Sequence, residues 1–234
     1  MKVLVLNGSP KAERSNTLNI TKAFLKGFPA DTEVEQINLY KKDIKPCLGC
    51  FSCWSRTPGQ CVIKDDMQDI YEKIKAADIV IESFPLYFFG MSQMKATTDR
   101  CLPFMLPYMG NLVEDKNASF HELRDESMHE KRLVVITTCG YVDEKPMYPA
   151  LLKQLDLIAG EGHYTAILCP EGELFIADKA KRQRDGYLAE ITRAGAEFAQ
   201  NRALSEETKK RIAKPILSPK GFETITLAHW GMNK

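Results

Sequence analysis

Five short apolar runs alternate with five helical periods along this chain, and that rhythm leaves few folds open. The runs are Val3 to Leu6, Glu33 to Asn38, Asp78 to Glu82, Leu133 to Thr137 and Tyr164 to Leu168. The first is too short for a helix and rich enough in Val and Leu for a strand buried on both faces. The second carries only Val34 and Ile37 among polar neighbours and reads as an exposed edge. The first helix, Leu18 to Leu25, follows a Ser15-Asn16-Thr17 cap; the next runs through Met67, Ile70, Ile74 and Ala77 after Asp65-Asp66. Further helices are predicted from near Ser92, carrying Met94, Lys95, Asp99 and Arg100, over Met147 to Ala159, and over Ala177 to Gln200. Strands and helices in this alternation predict βαβ units and a parallel sheet covered by helices.

In such a sheet ligands sit outside the carboxyl ends of the strands, so the loops after the first, third and fourth strands share one rim. The first runs Asn7-Gly8-Ser9-Pro10 to Ser15-Asn16-Thr17. Its hydroxyls at Ser9, Ser15 and Thr17, the Asn16 amide and a helix N-terminus suit a phosphate. It lacks the GxxxxGK[ST] and GxGxxG spacings, which argues against a nucleoside triphosphatase or a dinucleotide fingerprint. The second loop, Pro85-Leu86-Tyr87-Phe88-Phe89-Gly90, is unusually aromatic and can pack against a flat ring. The third, Thr138-Cys139-Gly140, offers small residues and N–H donors. Singly, each reads as a cap, a piece of core or a turn; three together at one rim point to a ligand.

With 234 residues, 44% of them hydrophobic, the chain can bury a sizeable core. Residues 1–203 are expected to form one domain, with a cysteine loop at 46–64, a charged excursion at 102–131 and a C-terminal extension at 204–234. In the extension, Thr224 to Ala228 (TITLA) is expected to be a strand reaching a neighbouring copy. The 32 basic and 31 acidic residues leave a formal charge of +1, which favours neither nucleic acid nor an anionic membrane as partner. No apolar run approaches a membrane span and no signal-peptide pattern opens the chain, so a cytoplasmic location is expected. His121, His129, His163 and His229 are scattered and form no catalytic set.

Seven cysteines are present, and Cys47, Cys50, Cys53 and Cys61 fall within fifteen residues. In a reducing compartment this suggests a metal, a cluster or redox thiols before disulfides. Three thiolates spaced Cys-x2-Cys-x2-Cys with a more distant fourth can wrap a compact iron–sulfur cluster. Zinc fits less well because no second Cys-x-x-Cys pair follows. Metal-free structural or reactive thiols remain an alternative. Cys101, Cys139 and Cys169 read as packing residues.

The chain resembles the flavodoxin-like NAD(P)H-dependent FMN reductase family, in the branch that includes the iron–sulfur flavoproteins. The resemblance rests on Asn7-Gly8-Ser9-Pro10 with Ser15-Asn16-Thr17, the Cys47-to-Cys61 segment running into Asp65-Asp66-Met67, Ser83-Phe84-Pro85-Leu86-Tyr87, and Lys95 with Asp99-Arg100. It implies a three-layer sandwich with a five-stranded parallel sheet in the order 2-1-3-4-5. It implies FMN, its phosphate held by Ser9, Lys11, Ser15, Asn16 and Thr17, and its isoalloxazine bounded by Pro85 to Gly90 and by Thr138, Cys139 and Gly140. It implies a [4Fe-4S] cluster on Cys47, Cys50, Cys53 and Cys61. The implied activity is electron transfer from NAD(P)H through FMN to a small acceptor such as a quinone or flavin, with no catalytic side chain required, in a homodimer or homotetramer. Two other readings stay open: an electron carrier between proteins, and a flavin-free module that senses metal or redox state.

Overall fold

The computed structural model describes residues 1–88, 92–107, 121–142 and 147–232, with Asp178 described by its backbone alone. Strands β1 (Lys2–Asn7), β2 (Glu33–Asn38), β3 (Ile79–Pro85), β4 (Arg132–Thr138) and β5 (Tyr164–Cys169) form one sheet in the order β2-β1-β3-β4-β5. Every pairing is parallel. The expected architecture and strand order are therefore observed, with β2 at the exposed edge.

Successive residues of a strand face opposite sides of a sheet, and here both sides are apolar. Val3, Val5, Ile79, Ile81, Val134 and Ile136 pack beneath helices α1 (Asn16–Leu25) and α5 (Lys181–Asn201). Leu4, Leu6, Val80 and Val135 pack against α2 (Met67–Ala76), α3 (Ser92–Asp99) and α4 (Pro149–Ala159), which supply Ile70, Met94 and Leu155. Each fully buried aliphatic side chain contributes about 1.5–3 kcal/mol.

Helices α1 and α5 meet backbone to backbone. A Cβ on Gly195 would overlap the carbonyl of Phe24, and one on Gly27 would overlap that of Thr192. The Thr192 hydroxyl donates to the Ala23 carbonyl at 2.9 Å across the same contact. Glycine is needed at these two places for close approach, since neither side has room to yield.

Three expectations shift. The helix predicted from Ala177 begins at Lys181, after short 3-10 turns at Gly172–Ile176 and Asp178–Ala180. The N-cap position of α2 is Asp66, whose side chain makes no capping bond and turns back to accept the Asp43 N–H, while Asp65 Oδ1, one residue earlier, accepts the Met67 N–H. Beyond α6 (Glu206–Ile212), residues 224–228 form no strand but lie inside α7 (Pro219–His229). Ser218 caps α7 through the Gly221 N–H, and Pro219 sits in its first turn, where its missing N–H costs nothing. Phe222 and Ile225, three apart on one helical face, find an apolar seat against Leu174 and Val142. That contact outweighs the β preference of the TITLA threonines and isoleucine.

Candidate functional site

The loop after β1 is held from beneath by Asn7, which is fully buried at the strand's end. Its amide donates to Asn38 Oδ1 at 2.7 Å and to the Ala12 carbonyl at 3.0 Å, and its Oδ1 accepts the Ser9 N–H at 3.2 Å. Glu13 on the same loop accepts from Asn38 and Gln36 of β2, and those hydrogen bonds, Asn38's above all, hold its carboxyl below the ordinary value. Ser9 is buried and its hydroxyl accepts the Lys11 N–H; Lys11 itself is exposed. Ser15 caps α1 by accepting the Leu18 N–H at 3.2 Å. Gly8 lies so close to α3 that a Cβ there would stand 2.9 Å from Met94 Cβ. The product is a rigid turn delivering the N-terminus of α1, with its unpaired N–H groups and positive dipole end, to the rim.

Thr138, the last residue of β4, joins three loops. Its hydroxyl lies 2.7 Å from that of Thr17, both buried, and its carbonyl accepts the Leu86 N–H at 2.7 Å. Tyr87 and Phe88 are exposed beyond Leu86, at 56% and 98%. Phe89 and Gly90 lie outside the described residues. Cys139 is buried and Gly140 open. Beside Thr138, the buried Thr137 hydroxyl finds no partner among the described residues. A fourth loop, after β5, also arrives: the Asn16 amide donates to the Gly172 carbonyl at 2.9 Å, and the Gly172 N–H to the Cys139 carbonyl at 2.7 Å. These groups fit FMN: a helix N-terminus set among hydroxyls for its phosphate, and exposed aromatic and small residues for its ring.

The cysteine loop is latched at both ends by one ion pair. Arg100, at the end of α3, makes a two-pronged contact with Asp65 at 2.8 and 2.9 Å, and both side chains are buried. Arg100 also donates to the Lys45 carbonyl, and Asp65 accepts the Lys45 N–H, so residues 45 and 65 are tied to the same point. Burial pushes the Asp65 carboxyl up, but the Arg100 contact and the Lys45 and Met67 N–H groups outweigh it and hold it below the ordinary value. Midway, Trp54 stacks on Phe51 at 5.1 Å and meets the His121 ring at a tilt at 5.0 Å, and its indole N–H donates to the Leu102 carbonyl. Arg124 reaches the carbonyls of Cys53, Pro103 and Met105. The described parts of the 102–131 excursion are thus the platform on which the cysteine loop rests.

Cys53 is buried, Cys47 and Cys61 half-buried and Cys50 exposed; all four are free thiols. Burial, then the neighbouring Cys61, pushes the Cys53 thiol up, while the Ser52 hydroxyl draws that of Cys50 down. Among the described residues, no three His, Cys, Asp or Glu side chains converge to hold a metal ion. The donor set suits a cluster by its chemistry and spacing, and the structure does not gather it around one point.

Glu82, on β3 between Leu6 and Val135, carries a carboxyl that burial pushes up to about 7. Burial, and then the Glu82 charge, pushes the neighbouring Cys101 thiol up to about 12. Cys169 lies in the core beneath α1 and α5, Cys101 packs against the core on the other face, and Cys139 is buried at the rim.

Asn7, Gly172 and Arg124 were not predicted as site residues. Asn7 carries the only available signal, a buried polar residue closing an apolar strand; the others reveal themselves only through partners far away in sequence.

A family model described as NADPH-dependent FMN reductase matches residues 1–141. An iron-sulfur flavoprotein of Methanocaldococcus jannaschii is 38% identical over 109 residues, 46% of this chain and 55% of that protein. One from Methanosarcina thermophila is 37% identical over 106 residues, 43% and 52% of the respective chains. The chain spans about half the length of the curated relatives it matches. Among solved structures, NAD(P)H:quinone oxidoreductase from Methanothermobacter marburgensis superposes with a TM-score of 0.60 at 17% identity, over 85% of this chain and 96% of that one. An FMN-dependent NADH-azoreductase from Bacillus anthracis, solved with FMN, gives 0.56 at 18%, over 85% and 100%. At these identities the likeness is one of fold.

Proposed function

The chain belongs to the NADPH-dependent FMN reductase family, and from that premise we propose that it binds FMN at the carboxyl rim of its sheet and moves electrons from a reduced nicotinamide to a small acceptor. The observation that carries this reading is the meeting of three loops at Thr138, through the Thr17 hydroxyl and the Leu86 N–H. In this reading the phosphate lies among Ser9, Ser15, Asn16, Thr17 and the first N–H groups of α1, and the ring lies between Pro85–Tyr87 and Thr138–Gly140. When bound, FMN supplies the hydride and electron chemistry. The protein's side chains bind, orient and screen: Asn7 and Glu13 hold the loop in shape, α1 presents its positive end to the phosphate, and no side-chain acid or base is required. Purified protein should be yellow, or take up added FMN, and should oxidise NADH or NADPH in the steady state with a quinone or flavin as acceptor. Colourless protein that does not take up FMN overturns the proposal.

A second reading, that of an electron carrier, is favoured by the latched cysteine loop. In it Cys47, Cys50, Cys53 and Cys61 hold an iron–sulfur cluster, which supplies one-electron chemistry. Rapid steady-state oxidation of NAD(P)H with small acceptors favours the first reading; its absence in protein carrying both FMN and iron favours the second.

A further inference from the structure

Among the described residues, the chain beyond residue 203 adds no strand to the sheet, yet it is anchored to the rim described above. The loop after β5 is stitched to the loop after β4 by the Glu171 N–H on the Tyr141 carbonyl at 2.8 Å and the Gly172 N–H on the Cys139 carbonyl. Glu171 is buried, in the left-handed backbone region at φ 61°, and its carboxylate accepts the N–H groups of both Ile216 and Leu217. A non-glycine residue in that region is strained, and the double acceptance holds it there. Helix α7 then packs Phe222 and Ile225 on Leu174 and Val142, residues of the same two loops. At its end the Trp230 indole N–H donates to Glu173 Oε2 at 3.2 Å. Glu173 in turn borders Gly140, where a Cβ would stand 3.4 Å from its Oε1.

We propose that Trp230 is a specificity-determining wall on the β5 side of the flavin site, and that Glu171 is the positioning residue that seats it. The inference rests on the FMN reading above. A tail that only covered core would not need its terminal indole pinned by a carboxylate next to Gly140, with 59% of the residue left exposed. The ring meets His229 in a T-shaped contact at 5.1 Å, and a large, rigid, amphipathic ring fixed at its polar end and still largely exposed can bound a planar ligand. It narrows the approach over the Thr138–Gly140 side, so it sets how large an acceptor can reach the ring.

The test uses the full chain loaded with FMN, comparing wild type with Trp230→Ala, Trp230→Phe and Glu171→Gln. Wild-type FMN titration comes first; if no FMN binds, the FMN reading fails and this wall falls with it. With FMN bound, Trp230→Ala should speed FMN release and raise iodide quenching of the bound flavin's fluorescence by about tenfold and about twofold respectively, the loss of one aromatic contact. It should also shift kcat/KM toward a three-ring over a one-ring quinone by about tenfold. Trp230→Phe, which keeps an aromatic ring but lacks the N–H that Glu173 holds, should recover only part of each effect, and the urea midpoint should stay at the wild-type value in both variants because the ring is exposed. Glu171→Gln should move release and quenching the same way and raise amide exchange across 216–230. Unchanged release, quenching and quinone preference in Trp230→Ala overturn the proposal, and so does a uniform loss that tracks a lowered urea midpoint.

Discussion

The hydroxyl oxygens of Thr17 and Thr138 lie 2.7 Å apart, 121 residues distant in sequence, and both are buried. Thr17→Val therefore strands the Thr138 hydroxyl without its partner and should cost about 1–3 kcal/mol in urea unfolding. Adding Thr138→Val removes both polar groups and should return stability toward wild type. FMN binding should remain weak in the single and the double variant. Full FMN occupancy in the double variant would place the phosphate elsewhere. A bulky hydrophobe at position 17 separates nothing, since a fully buried site has no room for it.

The Arg100–Asp65 pair is buried, so breaking it leaves a charge without its counterion. Asp65→Ala and Arg100→Met should each cost about 3–5 kcal/mol. Each should also speed proteolytic cleavage within 46–64, because residues 45 and 65 lose their common anchor; unchanged cleavage refutes the latch. Asp65 has a folded pKa below its unfolded value of about 3.9, so its contribution is present above that value and is lost as pH falls through the folded one. The wild type should lose its advantage over Asp65→Asn below about pH 4.

Glu82 behaves in the opposite sense. Its folded pKa, about 7, lies above the unfolded 4.5, so the native state binds more protons between them and stability falls as pH rises through that window. Glu82→Gln should flatten the fall: the variant and wild type should be close at pH 4.5, with the variant more stable at pH 8. Parallel stability curves across this range would sink the assignment.

Anaerobically purified protein should be brown, with stoichiometric iron and sulfide, if the four clustered thiols hold a cluster. Cys53→Ser should then discharge the iron while FMN stays bound, because the cysteine loop and the phosphate loop share no hydrogen bond among the described residues. A plain yellow spectrum without iron in wild-type protein refutes the cluster.

The sheet was legible because a buried parallel strand must be apolar on both faces, and the runs from Val3, Asp78 and Leu133 are. The loop after β1 was legible for a similar reason, since Ser15 must satisfy a helix end wherever that end lies. What escaped were relationships between segments distant in sequence. Nothing in EGEL marks Glu171 as buried rather than solvated; only the arrival of Ile216 and Leu217 makes it an acceptor. Thr224 to Ala228 favours a strand by composition, and the apolar seat offered by Leu174 and Val142 decides for a helix.

The glycine contact between α1 and α5 acts as a fulcrum. From Phe24, where Gly195 presses, to Asn16 at the rim is about 12 Å of helix at 1.5 Å per residue, so a tilt of about ten degrees would swing the N-terminus by about 2 Å. Gly195→Ala should therefore impair FMN binding from the far end of a lever, through a residue that never meets the ligand; wild-type affinity in a folded variant would show that the pivot yields. A mutational scan confined to rim residues would overlook the position that aims them.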